Sequence, residues 1–273
     1  MIARELPSDR VVLLAQEDHA DLAAQFAAHW GNDEFAPLEP YATMLFATTY
    51  HDSHYRELEA GPPMHPEKGR PYGHRELPPA PARWDALRAN IGWLRQRDPY
   101  AGLIVSMHHT GLAQSRYGVV RSKRAGSGYG RVMRPEVAAI VEALEAEQRD
   151  AQQALGLAEP EGQAALWLNY RLLQVFDLLS LYFCCDGYDG EQLVDERIGP
   201  VPVDRRGERE VELQLQPVGP NRVQVTPYPF DCSPLPIAVT GRVMAPTAGA
   251  SADEGREGYY RATRTVLSWE LVR

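Results

Sequence analysis

The stretch EGQAALWLNYRLLQVFDLLSLYFCC, residues 161–185, decides how this chain is read. From Leu166 onward nearly every helical position is apolar, so the stretch predicts a helix buried on all sides at the centre of a bundle. It carries one carboxylate in that apolar part, Asp177. An unpaired charge there would cost on the order of several kcal/mol, so something must compensate it. Tyr170 and Gln174 share a helical face with Asp177 and are expected beside it. A buried hydrogen bond to a tyrosine or arginine would satisfy the acid, and so would a metal ion.

Working outward, the segments before residue 161 also read as helices. Residues 17–30 place Leu22, Ala23, Phe26 and Trp30 in one apolar stripe, with His19 on the same face. Residues 41–55 gather Met44, Leu45, Thr48, His51, Asp52 and Tyr55 on one face. Residues 84–96 and 99–114 follow, the latter opened by Asp98-Pro99 as cap and first-turn proline. The stripe of 99–114 includes Ile104, Met107 and His108. A further helix spans 135–155.

Two loops interrupt these helices. Residues 56–83 are rich in proline and glycine, a length that in compact domains often carries function. Residues 116–134 are basic and glycine-rich. After Gly187 the period changes: 210–216 and 222–226 alternate around turn chemistry at 218–221, a β-hairpin signal. Residues 237–244 and 259–272 can add strands, and 245–258 read as a surface loop. The expected architecture is mainly α: a helical bundle over 1–190 followed by a small antiparallel β-sheet subdomain over 191–273. The sheet would pack on the bundle or serve as a homo-oligomer contact.

Composition narrows the function. The formal net charge of −9 argues against general nucleic-acid binding. The three cysteines, at 184, 185 and 232, form no disulfide framework, which favours a reducing compartment. No basic segment followed by an apolar run opens the chain, and the longest apolar stretch is broken by Asn169, Arg171, Gln174 and Asp177. A cytoplasmic protein without a membrane span is expected.

All eight histidines fall between positions 19 and 109. Taken singly, each has a plain structural reading. His19 can be a core histidine satisfied by one hydrogen bond, and His51-Asp52 can be a helix-end pair facing water. His54 and His65 read as surface residues. Taken in chain order, His19, then the His51-Asp52 doublet, then Asp177 resembles the signature of the HD-domain superfamily of metal-dependent phosphohydrolases. More closely, the chain resembles a bacterial family, the domain of unknown function 3891. The stretches that carry this resemblance are HADLA at 19–23, HWG at 29–31, YHD at 50–52, SMH at 106–108, LQVFDLLSLYFC at 173–184 and YPF at 228–230.

The HD resemblance implies an HD-like bundle whose metal is held by His19, His51, Asp52 and Asp177. Two imidazoles and two carboxylates suit a divalent transition metal such as Mn, Fe, Co, Ni or Zn. It further implies room for a second ion, with Asp52 bridging and His108 as the best further ligand. His109 and His74 follow as weaker choices. Asp52 and His108 are the expected catalytic groups. Arg121, Lys123 and Arg124 in the basic loop are the expected contacts to a small phosphorylated substrate, because arginine grips phosphate with two N–H groups. Two other readings stay open: a di-iron oxygenase of the HD type, and a non-catalytic helical module with a structural metal or none.

Overall fold

The computed structural model describes every residue except 8, 79, 115–120, 123–133 and 248. The chain opens with two strands, β1 (Ile2–Leu6) and β2 (Arg10–Leu14), before helix α1 (Gln16–Ala28). Helix α2 (Tyr41–Tyr50) leads through a 3₁₀ turn, Ser53–Tyr55, into the short α3 (Arg56–Ala60). Helices α4 (Pro81–Arg97) and α5 (Pro99–Ala113) follow, then a two-residue strand β3 (Arg121–Ser122), α6 (Pro135–Ala154) and α7 (Pro160–Leu181). A π-helical turn, Tyr182–Asp186, ends α7. The remainder is strands β4 (Tyr188–Asp189), β5 (Gln192–Leu193), β6 (Glu196–Pro202), β7 (Glu210–Gly219), β8 (Arg222–Thr226) and β9 (Leu235–Met244), then α8 (Ala252–Arg261) and β10 (Thr263–Val272).

The expected mainly α, HD-like bundle with a small sheet is not what the chain forms. The structure is 48% helical and 24% strand, and its main sheet is a curled half-barrel of seven strands. Strand order is β1-β2-β9-β10-β8-β7-β6, with β3 added at the far edge. Neighbours run antiparallel except β10 and β8, which pair in parallel. The physical reason is non-local pairing. Val11 and Val12 bond in register with Met244 and Val243, partners that no local periodicity can announce. The expected hairpin does form, as β7 and β8.

The expected loop 245–258 contains the start of α8. Ser251 caps it by accepting from the Glu254 amide, while the Glu254 carboxylate accepts from the Ser251 amide in return. Tyr259 on α8 then buries itself against Met1, Val11, Leu13 and Met244.

Helices α1 and α7 pack on the sheet face that carries Val12 and Leu14, and α8 packs on the opposite face, against Val11 and Leu13. One buried cluster takes in Phe26 of α1, Ile104 of α5 and Phe176 of α7, together with Leu213, Val223, Ile237 and Trp269 of the strands. Each such apolar side chain contributes roughly 1.5–3 kcal/mol on burial. α7 is the expected central helix: every residue from Asn169 to Leu181 is buried. Two glycines allow its close packing. A Cβ on Gly111 of α5 would stand 1.9 Å from the Tyr170 hydroxyl, and one on Gly187 would stand 2.3 Å from the Tyr182 ring. The end of α1 is tied to the loop after β8 by Gly31 N–H to Pro229 O and Asp231 N–H to His29 O. Phe230 sits under Trp30 there. Among the described residues, no helix is long and apolar enough to cross a membrane.

Candidate metal centre

Four helical elements converge at one end of α7. The decisive local feature is where α2 stops. Thr48 and Thr49 turn their hydroxyls back onto the carbonyls of Met44 and Leu45, and the Nδ1–H of His51 donates to the Thr48 carbonyl at 2.7 Å. These bonds compete with the backbone ladder. The helix ends at Tyr50, and Asp52 leaves helical geometry with φ −108° and ψ 12°. His51 and Asp52 therefore need not diverge by the angle of neighbours on a helix. Both face the same point.

His19 reaches that point from α1 and Asp177 from α7. Nε2 of His19 lies 2.8 Å from Oδ1 of Asp177 and 3.8 Å from Oδ2 of Asp52. Nε2 of His51 lies 3.8 Å from Asp52 Oδ2 and 3.7 Å from Asp177 Oδ1. From α5, His108 stands 3.9 Å from Asp177 Oδ2 and His109 stands 3.7 Å from Asp52 Oδ1. All six side chains are buried.

The hydrogen bonds behind the rings fix which nitrogen faces inward. The Ser180 hydroxyl donates to the Asp177 carbonyl, so its oxygen accepts from Nδ1–H of His19 at 2.7 Å. The Thr48 carbonyl can only accept, so His51 also carries its proton on Nδ1. In the neutral rings both Nε2 lone pairs then point at two carboxylates. The buried Nε2 of His51 is too far from either carboxylate for a hydrogen bond. Acceptors facing acceptors in a buried site demand a cation between them.

The electrostatics agree. Burial pushes the His51 ring toward its neutral form, but Asp52 and Asp177 outweigh it and raise its pKa to about 9. Burial opposes ionisation of Asp177 too, yet His19 and His51 hold it well below the usual carboxylate range. In the absence of metal a proton supplies the positive charge. The donor set fits a divalent transition metal: His19, His51 and Asp177 offer ligand atoms within 4.8 Å of one another.

A second donor group adjoins the first. Asp52, His54 and His109 also bring ligand atoms within 4.8 Å of one another. His109 donates Nε2–H to the His51 carbonyl at 2.9 Å, leaving Nδ1 as its free lone pair. Nδ1 of His54 is buried with no hydrogen-bond partner among the described residues. Burial, then neighbouring positive groups, keep His54 and His108 neutral well below their usual pKa, and burial lowers His109 as well. The expectation that His54 lies at the surface is corrected: the 3₁₀ turn after α2 rolls it inward.

Both groups open onto a cavity of about 550 Å³. His74 lines it, with burial lowering its pKa to about 3, but it joins neither donor group. Leu87, Leu112 and Trp84 form an apolar wall, and Arg75 and Arg83 also line the space.

The sequence-derived residues thus divide cleanly. His19, His51, Asp52, His108 and Asp177 come together. Tyr170 is buried on α7 with its hydroxyl over Gly111, and Gln174 is buried beside it. Ser180, one turn beyond Asp177, orients His19. His65 packs against the Tyr72 ring at a tilt and does not line the cavity. In the basic loop, Lys123 and Arg124 lie outside the described residues. Arg121 is described through its backbone, which pairs with Gly199.

A third donor group, His29, Asp231 and Cys232, lies far more open to solvent, at the tie between α1 and the loop after β8. Its shortest contact is His29 Nδ1 to Asp231 Oδ1 at 2.8 Å.

No curated protein and no solved structure matches the chain. The sequence model of DUF3891, described as a protein of unknown function, matches residues 1–245, and the chain belongs to that family.

Proposed function

We propose that this protein is a metal-dependent hydrolase acting on a small phosphate ester. The observation that carries this reading is the buried convergence of His19 and His51 lone pairs on the carboxylates of Asp52 and Asp177, beside an open cavity. A structural ion would be enclosed by its ligands, whereas a catalytic one keeps a face open to substrate. The order of donors along the chain supports the same chemistry, since it resembles that of HD-type hydrolases although the fold differs.

His19, His51 and Asp177, with Asp52 at their edge, hold one divalent ion: Mn, Fe, Co, Ni or Zn. Asp52, His54 and His109 are placed for a second. When bound, such an ion makes water acidic near neutral pH and draws charge from a phosphoryl oxygen. Asp52 stands between the two groups and accepts the proton of the attacking water. His108 is kept neutral and faces Asp177 across the centre, where it positions the substrate. The net reaction joins the water oxygen to phosphorus, breaks the ester P–O bond and returns a proton to the leaving alcohol. The net charge of −9 favours a small substrate over nucleic acid.

The test is release of inorganic phosphate from a panel of phosphate esters by protein loaded separately with each metal. Turnover that needs the metal and vanishes in Asp52→Asn supports the proposal. Metal-loaded protein that cleaves no phosphate ester refutes it. Iron-dependent oxygen consumption in place of phosphate release would favour the oxygenase reading.

A further inference from the structure

The cavity beside the metal centre is not uniform. Its inner end is the donor cluster, one wall is apolar, and among the described residues its arginines are Arg75 and Arg83. Arg83 opens α4 and lines the cavity together with its neighbour Trp84. Its guanidinium is close enough to His54 and Tyr55 for its charge to act on both. No carboxylate among the described residues pairs with it. Of the other arginines on its helix, Arg88 and Arg95 are paired with Glu147, and Arg97 lies over the Trp93 ring and donates to the Trp93 carbonyl. Arg75 also lines the cavity, held in place by Asp186 at 2.7 Å. Arg83 thus brings an uncompensated positive charge next to the donor centre, while Arg75 is a steadied second donor whose charge is already met.

An unpaired guanidinium lining a cavity is a binding group for an anion, and its planar fork matches two oxygens of a phosphate. The adjoining wall of Trp84, Leu87 and Leu112 offers no hydrogen bonds from its aliphatic members and would favour a flat or apolar group.

We propose that Arg83, with Arg75 beside it, is the subsite for the phosphoryl oxygens, and that the Trp84 wall receives the alcohol part, so that the substrate is a phosphate monoester of an aromatic or apolar alcohol. This rests on the hydrolase reading above and adds the substrate class to it. The donors of the metal centre are left free to hold the ion, because the arginines supply the grip on the anion. Arg83 is a binding residue here and moves no proton.

The experiment uses the full chain loaded with metal, whose content is measured in every variant. Inorganic phosphate binding is followed by calorimetry for wild type, Arg83→Ala and Arg83→Lys. Michaelis constants are compared for two esters, the aromatic para-nitrophenyl phosphate and the polar glycerol phosphate, in wild type and in Trp84→Ala. Expected are unchanged metal content, phosphate binding weakened at least about tenfold in Arg83→Ala, and partial recovery in Arg83→Lys. Wild type should prefer the aromatic ester, and Trp84→Ala should lose that preference through a higher Michaelis constant. Equal phosphate affinity in wild type and Arg83→Ala at equal metal content overturns the proposal, and so does a wild type that prefers the glycerol ester. Absence of metal from wild type would instead overturn the hydrolase reading, and the metal measurement tells the two failures apart.

Discussion

Nε2 of His19 stands 2.8 Å from Oδ1 of Asp177, and the helix that carries Asp177 also supplies the Ser180 hydroxyl that turns the His19 ring. One turn of α7 therefore provides both an acid and the group that orients its partner on α1. The buried acid, isolated in an apolar helix, is accounted for by this arrangement.

Ser180 is buried and accepts from His19 at 2.7 Å. Removing the hydroxyl in Ser180→Ala leaves Nδ1–H without its acceptor and frees the ring to turn. Metal affinity should fall by roughly 10–100-fold, the usual effect of removing a group that orients a ligand. Stability should fall by about 1–3 kcal/mol. Chelator competition and thermal melting measure the two effects. Unchanged affinity would show that His19 needs no such support.

The metal-free protein should be most stable near pH 6.5. His51 has a folded pKa raised to about 9, so the stability it adds is present below its ordinary 6.5 and is lost as pH rises through 9. His54, His74, His108 and His109 are held neutral in the fold, so below their ordinary 6.5 the unfolded chain takes up more protons and stability falls. Melting temperature against pH reads both limbs. The same proton on His51 competes with metal. Affinity should therefore rise with pH up to about 9, with proton release on binding at neutral pH, seen by calorimetry in buffers of different ionisation enthalpy. Binding without proton release would contradict this.

Gly111→Ala should destabilise the fold, because the new Cβ would meet the Tyr170 hydroxyl at 1.9 Å. Overpacking of this kind costs about 1–3 kcal/mol, with Tm falling by roughly 2–4 °C for each kcal/mol. Adding Tyr170→Phe removes the oxygen and should restore most of the loss. If the double variant melts no higher than the single, the clash is not the cause.

His54→Ala tests the second donor group. Its ring offers a ligand atom within 4.8 Å of those of Asp52 and His109 and takes no part in the first group. Protein that binds two ions per chain should then retain one, held by His19, His51 and Asp177. Loss of both ions would show that the groups do not act separately.

How much of this is legible in the sequence follows from what each signal depends on. Asp177 is conspicuous because an acid in an apolar helix needs an explanation, and His19 and His51 lie on helical faces that periodicity can find. His54 misleads because Asp52 to His54 is a polar run that looks solvated. Only the break at the end of α2, made by the Thr48 carbonyl and its neighbours, turns it inward. Arg75 and Arg83 escape notice for a related reason: they sit in the proline-rich stretch 56–83, where no periodicity says which way a side chain points. The extent of the sheet is hidden because its edge is built from β1 and β2, whose partner β9 lies at the other end of the chain. Helix α8 does carry a readable signal, Ser251 and Glu254 at capping-box spacing, but the small polar residues around it resemble a loop.

The reading turns on one property of the buried His-Asp cluster, that it holds a divalent ion. Elemental analysis of the purified wild type beside Asp177→Ala, before and after incubation with Mn, Fe, Co, Ni or Zn, tests it most directly. Close to one or two ions per chain are expected in the wild type, with at least about a tenfold weaker hold on the first ion in the variant. Wild-type protein that binds none of these metals, with His51 remaining protonated between its two carboxylates, would contradict it.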